Sequence, residues 1–251
     1  MEKKSYSGTY AYKTDQGRVR KNNEDQALVL TNGEGEVLLV VCDGMGGANK
    51  GDLASDTAVS LIKHEFEEKK STDNKSKNRR WIVKVIRKAN NDIYNKSQEI
   101  PGASGMGTTV VLALLVKDTL YLASLGDSRA YLDNSASIRQ ISEDQTYARF
   151  LEKTGQISHE EALSHPERHV LMNALGIFPS LALTVDILPY EGEKILLCTD
   201  GLYNQVADET IHAILSTDER ADQKVSTLIG TANAAGGSDN SGIAYWECID
   251  D

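Results

Sequence analysis

The sequence predicts an α/β protein in which antiparallel sheets are covered by helices. Apolar runs rich in valine, leucine and isoleucine indicate buried strands at 37–42, 108–116, 119–124 and 195–198. Segments with apolar residues at helical spacing occur between these runs. The strands come in blocks and do not alternate strictly with helices, which favours antiparallel sheets over a parallel one.

The remaining elements follow from local patterns. Further strands are expected at 130–132 and 243–246, and Lys117-Asp118 joins two apolar runs as a tight hairpin turn. Helices are expected at 52–68, 81–96, 208–215 and 222–235. The polar stretch 67–80 predicts an exposed helix end and loop, and its basic residues are interpreted as solvated surface rather than a functional patch. No repeat or long linker is visible, so we expect one domain over 1–251.

Composition restricts the function. The chain has 251 residues, of which 40% are hydrophobic, so it can bury a sizeable core. A net charge of −10 argues against nucleic-acid binding, which needs a basic face. No apolar stretch approaches the ~18 residues that span a bilayer, and no secretory signal is visible, so we expect a cytoplasmic protein without a membrane partner. Three cysteines give no disulfide framework, and Cys42 and Cys198 are expected in the core.

Three aspartates stand beside glycines at the ends of predicted elements. Asp43 and Asp200 each end an apolar run and precede a glycine, while Asp239 follows a Gly-Gly-Ser segment. A carboxylate at the end of a buried strand is costly unless a cation meets it. If these ends converge, their oxygens would form a site for Mg²⁺ or Mn²⁺. The sequence therefore predicts a metal-dependent enzyme.

Other motifs add to this picture. Arg20 precedes Glu24 and Asp25 by four and five residues, which could place a guanidinium, the natural ligand of a phosphate, beside the metals. Asp127 follows a glycine at another strand end. The glycine-rich segment 102–109 lacks the Lys-Ser/Thr of a nucleotide-binding loop, so a tight entry into a strand is the better interpretation.

Together these motifs resemble a known family. From Thr14 to Trp246 they follow the order of the PP2C (PPM) metal-dependent protein serine/threonine phosphatases in their bacterial form: Arg20-x-x-x-Glu24-Asp25, Asp43-Gly-Met-Gly-Gly47, Gly107-Thr-Thr109, Gly126-Asp-Ser-Arg129, Asp200-Gly-Leu202 and Asp239-Asn240. The resemblance implies a four-layer α-β-β-α sandwich, with two central antiparallel sheets flanked by helices. It also implies a flap at about 146–180 beside the active site.

The resemblance implies roles for the metal ligands. Asp43 would bridge two Mn²⁺ or Mg²⁺ ions, the Gly44 carbonyl would bind one of them, and Asp200 and Asp239 would hold the other. A water between the two ions would attack phosphorus in line.

Around this centre the resemblance implies supporting residues. Glu24 and Asp25 would bind at the edge, directly or through water; Arg20 would hold the substrate phosphate; Asp127 would hold a third, weaker ion. The implied function is hydrolysis of phosphoserine and phosphothreonine in proteins, opposing a cytoplasmic Ser/Thr kinase, with a monomer as the default state.

The chain departs from the family pattern at three places. Met45 stands where many eukaryotic members have a histidine, and Gln145 replaces the histidine of a Thr-x-Asp-His-Ser segment. Ser241-Gly242 follows Asp239-Asn240 where relatives have an apolar residue and a threonine. None of these changes removes an expected metal ligand. Two alternatives stay open: a scaffold that binds phosphoproteins with little turnover, and a hydrolase of small phosphate esters or nucleotides. The histidines of the flap, His159, His165 and His169, are expected to be structural or exposed, because hard ions prefer oxygen.

Overall fold

The computed structural model describes residues 6–46 and 50–249, which form two sheets and their covering helices. The strands are β1 (Gly8–Asp15), β2 (Asp25–Thr31), β3 (Val37–Met45), β4 (Gly107–Thr108), β5 (Val110–Val116), β6 (Thr119–Leu125), β7 (Arg129–Asp133), β8 (Ile138–Gln140), β9 (Asp186–Pro189), β10 (Lys194–Cys198) and β11 (Ser241–Cys248). The helices are α1 (Gly51–Glu67), α2 (Lys75–Glu99), α3 (Tyr147–Lys153), α4 (His159–Ser164), α5 (Asp200–Tyr203), α6 (Asp208–Leu215) and α7 (Ala221–Ala234).

All strand pairs are antiparallel, as predicted. The first sheet has the order β1-β11-β10-β7-β8, and the second has the order β2-β3-β5-β6-β9 with β4 paired to β3. The expected hairpin joins β5 to β6 at Lys117-Asp118, where Val116 pairs with Thr119 and Lys117 takes a φ of 53°. The single strand expected at 108–116 is divided at Thr109, because β4 turns to pair with the end of β3.

Alternation along β3 shows how one apolar run serves two cores. Leu38, Val40 and Cys42 pack with α1 and α2, whereas Leu39 and Val41 face the other sheet. The first sheet is divided in the same way: Leu197 points between the sheets, and Leu196 packs under α6 and α7. Because successive side chains on a strand point to opposite faces, the result is the predicted α-β-β-α sandwich of four layers.

The register places several strand ends at one edge of the sandwich. Asp43, near the end of β3, pairs with Asp25 at the start of β2. In the other sheet, Cys198 at the end of β10 pairs with Ile243, near the start of β11, and with Arg129 at the start of β7. The loops that carry the predicted site residues therefore leave the sheets on the same side.

The prediction for 67–80 was wrong in its second half. Helix α2 begins at Lys75, six residues before the expected start, because the Asn74 side chain caps it by accepting from the Lys77 amide at 3.0 Å. Buried Asn78 anchors the preceding turn by donating to the Thr72 carbonyl at 2.8 Å. Strands β1, β2, β8 and β9 were not predicted; the residues of β1, β8 and β9 are mostly exposed or half-buried and lack a continuous apolar run.

Other expectations agree with the described residues. Cys42 and Cys198 are buried in the core. Within 6–46 and 50–249, no helix is long and apolar enough to cross a bilayer. The segment expected to act as a flap carries α3 and α4, and its movement stays a prediction.

Candidate active site

A cleft of about 880 Å³ lies at the edge where the strand ends meet. Its wall includes seven of the eight residues predicted from the sequence: Arg20, Glu24, Asp43, Gly44, Asp127, Asp200 and Asp239. The eighth, Asp25, is 2% exposed and faces Asp43 across β2 and β3. Residues separated by more than two hundred positions in the chain are thus brought to one site.

The carboxylates of this cleft are crowded and poorly solvated. Burial, and then the charges of Asp200 and Asp239, raises the pKa of Asp25 to about 8, although a hydrogen bond from Thr199 opposes the shift. Burial, followed by the charges of Asp127 and Asp239, raises the pKa of Asp200 to about 7. Burial and the neighbouring Asp25 raise the pKa of Asp43 well above its usual range. Such a cluster needs protons or cations to be stable.

The backbone around Asp43 is held by two threonines. The Asp43 amide donates to Thr109 Oγ1 at 2.8 Å, and the Thr108 hydroxyl donates to the Asp43 carbonyl at 2.9 Å. The Thr109 hydroxyl is also 2.8 Å from that of Ser128. These hydroxyls fix Asp43 from the side of β4 and β5, so the Gly107-Thr-Thr motif acts by positioning a predicted ligand.

Two glycines allow close backbone approach. A Cβ on Gly44 would overlap the Gly51 carbonyl oxygen, and a Cβ on Gly201 would overlap that of Asn240. Each glycine directly follows a predicted ligand, Asp43 or Asp200. The Asp-Gly pairs in the sequence therefore reflect tight packing next to the site.

Asn240 ties the N-terminal loop to the start of β11. Its side chain accepts from the Glu24 amide at 2.9 Å and donates to the carbonyls of Gln16 and Asn22, both at 2.8 Å. These three hydrogen bonds bring the loop that carries Arg20 against the segment that carries Asp239. The Asp-Asn pair thus combines a predicted ligand with a residue that organises the site.

Arg20 projects into the cleft beside the acids, as predicted. Its guanidinium donates to Asp239 Oδ2 at 2.7 Å, and its side chain remains 53% exposed. The other Asp239 oxygen, Oδ1, accepts from the Asn240 amide at 2.8 Å. The guanidinium is therefore held at the site while it stays accessible to an anion from solvent.

Thr199 supports the buried carboxylate of Asp25. Its hydroxyl donates to Asp25 Oδ2 at 2.7 Å and accepts from the Gly242 amide at 2.8 Å. A Cβ on Gly242 would lie 3.2 Å from the Thr199 methyl and 3.4 Å from Asp25 Oδ2. A larger residue at position 242 would therefore press on Thr199 and Asp25 unless they moved, and the glycine avoids this contact.

Glu24 contacts the first turn of α1. Its Oε1 accepts from the Gly51 amide at 3.2 Å, which places a negative charge at the helix N-terminus. Burial raises the pKa of Glu24, and the bond from Gly51 opposes this shift. The expected binding of Glu24 at the edge of a metal pair stays a prediction.

The donor set fits divalent ions that prefer oxygen. Asp200 Oδ1 is buried and lacks a hydrogen-bond partner among the described residues, while Oδ2 accepts from Asn204 at 3.1 Å. No three His, Cys, Asp or Glu side chains in 6–46 and 50–249 are grouped so as to hold an ion by themselves. Each ion would therefore take few carboxylates here and complete its shell with water or backbone oxygen, as Mg²⁺ commonly does. For an ion to bind a larger number of carboxylates, Asp239 would have to release Arg20 and turn towards that ion.

Asp127, the expected ligand of a third ion, is 7% exposed at the cleft wall. Burial and the charge of Asp144 raise the pKa of Asp127 to about 6. Its carbonyl accepts from the Tyr203 hydroxyl at 3.0 Å, and the Tyr203 ring stacks on the Arg129 guanidinium 3.6 Å away. The position suits a cation, and the third ion itself stays a prediction.

Comparison with known proteins decides the family. A model of the protein phosphatase 2C family matches residues 15–235. The chain belongs to the protein phosphatase 2C family. This confirms the resemblance inferred from the motifs and the enzyme class it implied, a PP2C-type protein serine/threonine phosphatase.

The similarity extends over nearly the whole chain. The serine/threonine phosphatase stp of Listeria monocytogenes serotype 4b is 35% identical over 230 residues, which are 91% of each chain. The solved structure of serine/threonine phosphatase Stp1 from Staphylococcus aureus has a TM-score of 0.91 at 30% identity and covers 100% of this chain and 98% of its own. The catalytic domain of PstP, solved in complex with two manganese ions, has a TM-score of 0.83 at 32% identity and covers 97% of this chain and 99% of its own.

This PP2C member also has cleft residues that the sequence analysis did not assign to the site. Arg168 and His169, from the segment 146–180, line the cleft together with the predicted acids. Burial and the Arg168 charge lower the pKa of His169. His169 was expected to be structural or exposed, and it is exposed. No pattern in the neighbouring residues indicates that it faces the site.

The PP2C departure at Gln145 has a structural role. Its side-chain amide donates to the Ser124 carbonyl at 3.0 Å, and its backbone joins Gly126 to Met172 through two bonds of 2.8 Å. Nearby, Arg129 holds Asp144 through bonds of 2.7 to 3.2 Å. Gln145 thus fastens the start of the flap segment to the strand end that carries Asp127.

Proposed function

We propose that this PP2C-type phosphatase hydrolyses phosphoserine and phosphothreonine in proteins, with two Mn²⁺ or Mg²⁺ ions held by Asp43, Asp200 and Asp239. The observation that carries the proposal is the buried Asp200 Oδ1, which has no hydrogen-bond partner among the described residues and lies among acids of raised pKa in an open cleft. A cytoplasmic location, a kinase whose products the enzyme reverses and a monomeric state belong to the same proposal.

The protein side chains have distinct tasks in this reaction. Arg20 binds the phosphate oxygens and neutralises their charge, because its guanidinium is exposed beside the acids. Asp43, Asp200 and Asp239 hold the ions. Thr109 holds the Asp43 backbone, and the Asn240 amide holds the Asp239 carboxylate. Asp127 would hold a third, weaker ion.

The ions, when bound, supply a bridging water of lowered pKa as the nucleophile for in-line attack on phosphorus. Cys42 and Cys198, the cysteines that precede Asp43 and Asp200, do not suit a covalent thiol mechanism, because burial raises the pKa of both thiols and keeps them protonated.

The test is release of phosphate from a phosphothreonine peptide with Mn²⁺, compared with a small phosphate ester and a nucleotide. We expect turnover of the peptide that stops with chelator and returns with metal. No release in metal would instead support a scaffold, and faster turnover of the ester or nucleotide would support a small-molecule hydrolase.

The role of Arg20 can be tested with a neighbouring control. Arg20→Ala should reduce kcat/KM for the phosphopeptide by about tenfold or more, since a charge-assisted contact to phosphate is worth roughly 1.5–3 kcal/mol. Lys21→Ala removes the same charge one residue away on the exposed surface and should have little effect. Equal losses in the two variants would contradict a specific role for Arg20.

A further inference from the structure

A second depression, separate from the acidic cleft, lies against the first half of α2. It has a volume of about 630 Å³ and none of its lining residues borders the cleft. We call it the basic groove, and its lining residues are Ser76, Arg79, Arg80, Val83, Arg87 and Leu183. Its walls therefore combine three guanidinium groups with two apolar side chains and no carboxylate.

The arginines of the basic groove have no acidic partner in the part of the chain that the structure describes. From position 75 to position 91, helix α2 contains no Asp or Glu. Among the described residues, no carboxylate lies within 4.0 Å of the Arg79, Arg80 or Arg87 guanidinium; Arg80 donates only to the Ser76 carbonyl of its own helix, at 3.3 Å. All three side chains are exposed.

Two lysines of the same helix, outside the groove, have an acidic partner. Lys84 and Lys88 lie towards α1, and both pair with Glu65, at 3.6 and 2.6 Å. The helix therefore has one basic face that α1 neutralises and another that the described residues leave without a counter-charge. In a chain of net charge −10, with acids abundant elsewhere, this concentration of unpaired arginines indicates an anionic ligand from outside.

The composition of the groove points to the class of ligand. Arginine binds carboxylates through two parallel hydrogen bonds, and Val83 and Leu183, both half-buried, offer an apolar surface between the guanidinium groups. An extended peptide that mixes acidic and apolar side chains satisfies both features. The strongly negative net charge disfavours a nucleic acid, which would meet repulsion outside this small area.

We propose that the basic groove docks an acidic segment of the phosphoprotein substrate, at a distance from the residue being dephosphorylated. This inference rests on the proposed function for its biological role, but binding of the acidic segment can be measured without catalysis. Docking of this kind would lower KM for proteins that carry the segment and leave the chemical step unchanged.

The first experiment measures binding by fluorescence anisotropy, using a short labelled peptide of glutamate, aspartate and leucine. The double variant Arg79→Ala/Arg87→Ala should weaken binding about tenfold, as expected for two exposed charge pairs, and added salt should weaken binding to the wild type. The control Lys77→Ala/Lys84→Ala removes two charges from the other side of the same helix and leaves Lys88 to pair with Glu65; it should bind like the wild type. Equal losses in both double variants, no salt-sensitive binding, or tighter binding of an oligonucleotide of equal charge would overturn the proposal.

The second experiment measures turnover of a phosphopeptide with and without the acidic segment attached. In the wild type the segment should lower KM, and the Arg79→Ala/Arg87→Ala variant should lose this advantage while it hydrolyses a small phosphate ester normally. An unchanged advantage would overturn the docking role. If no phosphopeptide were hydrolysed at all, the proposed function would fail, and the anisotropy result alone would decide whether the groove binds acidic peptides.

Discussion

Asp25 and Asp43 stand directly opposite each other on neighbouring strands, and Asp25 is almost fully buried. Like charges in directly opposed positions of an antiparallel pair are destabilising. The β2–β3 pair therefore holds an electrostatic conflict at the site edge of its sheet, which a proton or a divalent cation relieves.

Asp200→Asn should abolish turnover and leave the fold intact. The substitution keeps the size of the side chain and removes a charge that the neighbouring acids oppose, so the metal-free protein should melt at the same temperature or higher. We expect phosphopeptide hydrolysis to fall by about 10³-fold or more, as for loss of a metal ligand in the reacting centre. Asp218→Asn, an exposed loop variant, is the control and should keep full activity. Near-normal turnover of Asp200→Asn would contradict the assigned role.

Metal-free protein should become less stable as the pH rises from about 5 to about 8. The folded pKa values of Asp25, Asp200 and Asp127 are about 8, 7 and 6, all above the ordinary value of 3.8. In this window the folded state binds more protons than the unfolded chain, so the free energy of unfolding falls with pH. Thermal unfolding in chelator should show this trend.

The same measurement with Mn²⁺ should show the largest stabilisation at high pH, because the ion competes with protons for the carboxylates. The Asp200→Asn variant serves as the comparison and should have a flatter metal-free pH profile. A metal-free melting temperature that rises from pH 5 to pH 8 in the wild type, with no difference in slope for the variant, would contradict the assignment.

Gly201→Ala should destabilise the protein, while Gly230→Ala should stabilise it. A Cβ at position 201 would overlap the Asn240 carbonyl, so we expect a loss of about 1–3 kcal/mol or more from the free energy of unfolding. Gly230 lies in α7 with open space around its Cβ position, and alanine there should add about 0.5–1 kcal/mol. Urea unfolding of both variants tests the pair, and a neutral Gly201→Ala would show that the backbones are not so closely packed.

Asn90→Ala should loosen the end of the flap segment. Asn90, 1% exposed on α2, accepts from the Gly176 amide and donates to the Phe178 carbonyl, both at 2.9 Å. Removing its side chain leaves two backbone groups unpaired, at a local cost of about 1–3 kcal/mol. We expect faster limited proteolysis within 146–180, whereas the exposed neighbour variant Asn91→Ala should resemble the wild type. Equal cleavage rates would show that the segment is held elsewhere.

The strands that were predicted correctly are those whose signal is local. Residues 37–42 are apolar without interruption because both faces of β3 are buried, so their pattern is visible in the sequence. Strand β1 was missed because most of its residues are exposed or half-buried, and only pairing with β11 makes it a strand. The early start of α2 was missed because its first turn is polar and its cap, Asn74, resembles a loop residue.

The residues of the site also differ in whether their role is visible from their neighbours in the sequence. Asp43, Asp200 and Asp239 were predicted because each stands out from apolar or glycine neighbours. Arg168 and His169 were not, because nothing near them in the chain shows that their segment borders the cleft.

The sequence alone determined the blocks of buried strands and the helices between them, the acids beside glycines and the family to which they belong. These depend on neighbours in the chain, where side-chain type and spacing act directly. Tertiary structure alone decided that Asp25 opposes Asp43, that Asn240 holds the Arg20 loop and that Arg79, Arg80 and Arg87 of α2 have no counter-charge among the described residues. Such relations join residues far apart in sequence, and strand register and helix packing set their distances.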